Sequence, residues 1–133
     1  MGNKRFFYVV YKPVSIDDWE NYKVYSFGEL IKNIGLFRSI IVWIALNKMD
    51  FTAITIKPFI ISVKVLTKKS FVHEFTHLRQ QTDDGLLKFG IKYYWAWFVN
   101  FFFKKETRFN FYEAYYNIPY EVEAYSAQEN FQV

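Results

Sequence analysis

Cysteine is absent from the 133 residues, histidine occurs twice, proline three times and glycine five times. The missing thiols exclude disulfide staples, cysteine-ligated zinc and thiol nucleophiles. A large excess of one charge is also lacking: 17 Lys+Arg stand against 13 Asp+Glu, a scattered net charge of +4 that argues against a nucleic-acid partner. Long hydrophobic runs are missing too. Ile40–Leu46 and Tyr93–Phe103, the latter interrupted by Asn100, fall short of the roughly 20 residues a spanning helix needs. Near the start, the apolar run from Phe6 to Tyr11 stops at Lys12-Pro13 with no small-residue cleavage site, so no signal peptide is expected; Phe6 stands where myristoylation of Gly2 wants Ser or Thr. Repeats and low-complexity segments are not visible. The expectation is one domain over residues 1–133, cytoplasmic or otherwise soluble.

Aromatic residues are plentiful: 16 Phe, 11 Tyr and 4 Trp, within a composition of 52% hydrophobic and 23% charged residues that suits a folded core. The pattern reads as α+β. Lys4–Tyr11 has the composition of a strand, whereas Asp17–Tyr25 shows no clear period. Ser26 and Glu29 form a capping box ahead of a long helix over Phe27–Lys48, with Gly35 a point of bending. Thr52–Leu66 is β-branched and interrupted by Pro58, which implies two short strands or a bulged edge strand. Helical spacing resumes over Ser70–Gln81. Thr82-Asp83-Asp84-Gly85 reads as a turn, and Leu86–Lys105 as a helix apolar nearly all round, with a break at Gly90. A short helical turn over Phe111–Tyr116 and a last helix opened by Pro119 complete the chain.

Both histidines fall in one pentapeptide, His73-Glu74-Phe75-Thr76-His77. On a helix, positions i and i+4 lie one above the other, so two imidazoles can grip one metal ion, while Phe71, Phe75 and Leu78 take a core face. Glu74 projects beside the pair, where it can take a proton from a water held next to the ion without ligating it. This is the His-Glu-x-x-His arrangement of zinc metallopeptidases, and the chemistry accounts for the spacing. A third ligand must be a carboxylate, because no third histidine exists. Asp83, Glu106, Glu113, Glu121, Glu123 and Glu129 lie downstream. Asp83 has the six-residue offset of the longer motif, but Gln80 stands where that motif needs glycine. Gln80 and Gln81 lie near the histidines as supports of the rings or as solvated helix-end side chains.

His73-Glu74-x-x-His77 followed by Glu121-x-x-Ala124 resembles the gluzincins, zinc peptidases whose third ligand is a glutamate on a second helix, and in length the small minigluzincins. The resemblance spans Thr52 to Gln128 in order of elements and is carried by the two short motifs. It implies a small zincin-like domain: a backing helix, a short and mostly antiparallel sheet, an active-site helix and a C-terminal glutamate helix. It also implies Zn2+ held by His73, His77 and Glu121, with Glu74 as general base and acid, in a zinc metalloendopeptidase-like hydrolase. Glu123 and then Asp83 follow Glu121 as alternatives. Tyr112, Tyr115, Tyr116, Tyr120 and Tyr125 are the nearby donors for an oxyanion. A peptide or protein substrate is expected to lie along an edge strand, for which Phe59–Leu66 is the choice.

Residues 91–105, with Tyr93, Tyr94, Trp95 and Trp97 beside Lys92, Lys104 and Lys105, suit partial core packing, with the rest meeting a partner, a second copy or a bilayer surface. The competing function is therefore a non-catalytic interaction or membrane-peripheral protein.

Overall fold

The computed structural model describes residues 5–49 and 51–131; Gly2 and Lys4 lie outside them. Strand β1 (Phe6–Tyr11) is followed by a 3-10 turn at Ile16–Glu20 and strand β2 (Lys23–Ser26). Helices α1 (Phe27–Ile34) and α2 (Leu36–Asn47) lead into strands β3 (Ala53–Ile56) and β4 (Phe59–Ser62). Helices α3 (Lys68–Asp84), α4 (Leu86–Phe102), α5 (Phe111–Tyr116) and α6 (Pro119–Asn130) follow. The class is α+β. All strand pairs are antiparallel, in the order β2-β1-β4-β3.

Sheet alternation divides the core between two sides. Phe7, Val9, Phe59 and Ile61 turn to one face and pack with Leu30, Ile34, Val42 and Leu46 of α1 and α2. Val10 and Ile60 turn to the other and meet Phe71 and Leu78 of α3. Complete burial of a phenylalanine such as Phe7 or Phe71 contributes about 1.5–3 kcal/mol. Covered on both faces, β4 is buried at all four positions and paired on both sides. The expected edge strand at Phe59–Leu66 is thus corrected: a run this apolar occupies the sheet interior, and the edges are β2 and, beside β4, β3.

The local signals explain most boundaries. Ser26 Oγ accepts from the Glu29 N–H, and the Glu29 carboxylate accepts from the Ser26 N–H, closing the capping box. The stretch with no visible period becomes the 3-10 turn and β2, and the Asp18 carboxylate holds the start of the turn by accepting from the Val14 and Ser15 N–H groups. Phe27–Lys48 is two helices, because Gly35 adopts φ 92° and ends the first. Helix α3 runs through the expected turn as far as Asp84 and stops at Gly85, φ 83°. At Gly90, by contrast, α4 continues unbroken.

A Cβ at Gly35, Gly85 or Gly90 would meet nothing within 4 Å, so backbone angle alone separates them. Gly35→Ala and Gly85→Ala are expected to lose about 1–3 kcal/mol in urea unfolding. Gly90→Ala should gain up to about 1 kcal/mol, as an alanine in a helix interior does.

Candidate metal centre

Helix α3 presents its two imidazoles on the side that α6 packs against. Thr67 caps α3 by accepting from the Ser70 N–H, and Phe71 and Leu78 anchor it to the sheet. Pro119 opens α6 one residue after the fully buried Ile118, which fixes where the first turn begins. Ala124, also fully buried, allows close approach of the two helices. Glu121 in that first turn is thereby pushed between the histidines.

The contacts are symmetrical. His73 Nε2 lies 2.9 Å from Glu121 Oε1, and His77 Nε2 lies 3.0 Å from Glu121 Oε2. All three side chains are buried, and one ligating atom from each falls within 4.8 Å of the other two. Of the carboxylates considered from the sequence, this group contains Glu121 alone. Glu123 turns outward and binds Arg79 at 2.7 Å, and Asp83 is exposed on the last turn of α3.

Hydrogen bonding decides which face of His77 carries a lone pair. Gln80 Nε2 donates to the Tyr120 carbonyl at 3.0 Å and to Glu123 Oε1 at 2.6 Å, so Gln80 Oε1 must be the atom 2.9 Å from His77 Nδ1. Nδ1 then holds the hydrogen, and a neutral His77 aims its Nε2 lone pair at the Glu121 carboxylate. Gln128 Oε1 stands 3.1 Å from His73 Nδ1 and supports the second ring in the same way. Nitrogen lone pairs facing a buried carboxylate repel unless a positive charge lies between them. A proton on the imidazole or a cation at the focus satisfies this arrangement. Two neutral imidazoles and one carboxylate form a donor set of the kind zinc takes.

In the metal-free chain the proton takes that place. Burial opposes charge on His77, but the Glu121 hydrogen bond and the charges of Glu121 and Glu74 outweigh it and push the pKa from 6.5 up to about 9. Burial would raise the Glu121 carboxyl, yet the two histidine hydrogen bonds, the His77 charge and the Tyr93 hydroxyl hold it well below the usual carboxylate range. Tyr93 donates to Glu121 Oε2, and burial followed by the Glu121 charge keeps its hydroxyl protonated far into alkali.

Glu74 borders the cavity that His77 and Glu121 line and also faces a cleft of about 490 Å³, which His73, Tyr112, Tyr115, Tyr116 and Tyr125 line. Its Oε1 accepts from the Thr55 hydroxyl at 3.0 Å, tying it to β3. Tyr125 stands edge-on to His73, ring centroids 4.3 Å apart, and burial with the Glu121 charge pushes its hydroxyl up to about 12. Burial likewise raises Tyr115 strongly. Tyr120 lies elsewhere, donating to Asp84 at the far end of α3. Gln81 does not touch the rings. It clamps the edge strand, accepting from the Lys57 N–H at 2.7 Å and donating to the Thr55 carbonyl at 2.7 Å.

Tyr93 and Gln128 carry roles that sequence reasoning missed. Gln128 had a signal, since Glu121, Tyr125 and Gln128 recur at i, i+4 and i+7 on one face of α6. Tyr93 had none, being one ring in a continuous aromatic run.

The His77–Glu121 pair makes stability depend on pH. The His77 pKa is raised on folding, so its contribution is full below pH 6.5 and is lost as pH rises through about 9. The Glu121 pKa is lowered, so its contribution is present above 4.5 and is lost as pH falls below that value. With EDTA present, the melting temperature should therefore fall between pH 6.5 and 9, and His77→Ala should flatten that limb.

Comparison with protein-family models, with curated proteins and with solved structures finds no match to this chain.

Proposed function

We propose that the chain is a zinc-dependent metallopeptidase of zincin-like, gluzincin-type fold that hydrolyses peptide bonds. One observation carries this reading: His73 and His77 of α3 and Glu121 of α6 converge on one focus, while Glu74 of the same pentapeptide faces an adjoining cleft. A purely structural ion pair needs no further acid beside it that also faces a cleft. When bound, zinc supplies a Lewis acid that lowers the pKa of a water and polarises a carbonyl.

The chain's own residues supply the rest. Glu74 accepts the proton of the attacking water and delivers it to the leaving amine. Its carboxylate is held for this by the Thr55 hydroxyl. Tyr115 and Tyr125 keep their protons at neutral pH and line the same cleft, so they are the donors available to a developing oxyanion. Gln80 and Gln128 hold the imidazoles so that Nε2 of each faces Glu121. Ladder alternation turns the backbone groups of Ala53, Thr55 and Lys57 away from β4. Gln81 occupies the Thr55 carbonyl and the Lys57 N–H, and Ala53 is left on the open edge beside the cleft. An extended peptide would add there as a further strand.

Metal analysis of purified protein should find about one zinc per chain, lost in His73→Ala and in Glu121→Ala. Glu74→Gln should keep the zinc and lose hydrolysis of a peptide substrate by at least about 10²-fold. Zinc that is absent from the wild type, or that survives loss of His73, would overturn the reading.

Removing the Gln80 support with Gln80→Ala should weaken zinc binding by about 10–100-fold in competition with a chromophoric chelator. Uptake of zinc at pH 7 by EDTA-stripped protein should release about one proton, seen as a buffer-dependent enthalpy in calorimetry, because His77 is protonated before the ion arrives.

A further inference from the structure

The core and the candidate centre leave one large surface unused. Helices α2 and α4 border a single apolar groove of about 900 Å³, lined by Phe37 and Ile41 from the first and Leu87, Ile91, Tyr94 and Trp95 from the second. These are not shallow edges of the core. Phe37 is 77% exposed, Leu87 78% and Trp95 62%, and Leu36, Ile40 and Ile44 extend the apolar surface along α2. A face of this kind on a small protein marks a contact with something else.

The charges that α2 and α4 themselves carry are of one sign. Arg38 on α2 and Lys88 and Lys92 on α4 are the only charged side chains those two helices carry, and all three are exposed. Exposed Lys48 caps the end of α2, and exposed Lys104 and Lys105 follow α4. Acids flank the helix at both ends, Asp83 and Asp84 before it and Glu106 after Lys105, and Lys88 and Lys92 help to lower the Asp84 carboxyl, after the Tyr120 hydrogen bond. An apolar groove with Arg38 in its wall, Trp and Tyr beside it and exposed lysines on the α4 helix matches the chemistry of an anionic lipid surface. A second copy fits less well, because a two-fold contact would set this patch, with Arg38, Lys88 and Lys92 its like charges, against itself. No helix among the described residues is long and apolar enough to cross a membrane, so the contact would lie along the surface.

We propose that the α2–α4 face docks the protein on an anionic bilayer, with Phe37, Leu87, Ile91 and Trp95 entering the interface and Arg38, Lys88 and Lys92 meeting the headgroups. The groove shares Ile41, Thr55, Gln81 and Phe89 with the cavity beside His77 and Glu121, so docking there would leave the edge strand next to the lipid. The inference does not depend on the peptidase reading.

The test is co-sedimentation of the full chain with phosphatidylcholine vesicles, with and without phosphatidylglycerol, read together with tryptophan emission. Expected are binding that requires phosphatidylglycerol, a blue shift that Trp95→Phe removes, and no change on adding EDTA. Joint replacement of Phe37, Leu87 and Trp95 by serine should weaken binding at least about tenfold. Each of Arg38→Gln, Lys88→Gln and Lys92→Gln should weaken it about fivefold. All six positions are exposed, and an unchanged circular dichroism spectrum checks that the variants fold. The salt sensitivity of wild-type binding tests the charge component without any variant. No binding to either vesicle, equal binding to both, or a dimer that the serine substitutions dissolve while vesicles bind nothing would each overturn the proposal.

Discussion

A buried carboxylate lies between the Nε2 atoms of two imidazoles, and much of the molecule serves to hold that meeting together. Glu121 is nearly inaccessible, as are His73 and His77. Leaving such a group without a positive partner costs about 3–5 kcal/mol when one member of the pair is removed. The protein therefore needs a proton or a metal ion at the focus. The two compete for the same nitrogen, which links acidity, ion binding and stability at one point.

Around the focus, polar side chains act in pairs. Gln80 and Gln128 hold the outer ring nitrogens, one from each helix. Gln81 replaces a neighbouring strand on part of the β3 edge, while Thr55 on that strand steadies Glu74. Strand β3 is thus bonded to the helix that carries the histidines, which holds Glu74 against the cleft wall. Buried polar networks of this kind are favourable only when every member is satisfied. Here the glutamine contacts complete each other.

The sequence conveys these parts unequally. The histidine pair is readable because both residues sit on one helix at a spacing geometry can interpret alone. Glu121 is chemically no different from Glu123 two positions later; the turn of α6 sends one inward and the other to Arg79. Only the docking of α6 on α3 separates them, and that depends on Ile118 and Ala124 rather than on the acids. Gln80 and Gln81 read as polar residues near a helix end, but the helix runs on to Asp84 and both are buried. The edge strand was misplaced for a similar reason. Composition distinguishes a strand from a helix, but which strand has one open side depends on partners far away in the chain, here β1 against β4.

Glu121 lies 48 positions beyond His73, on the far side of α4 and α5. During synthesis the two histidines emerge well before the acid that faces them, so the focus cannot close until α6 is made and docks on α3.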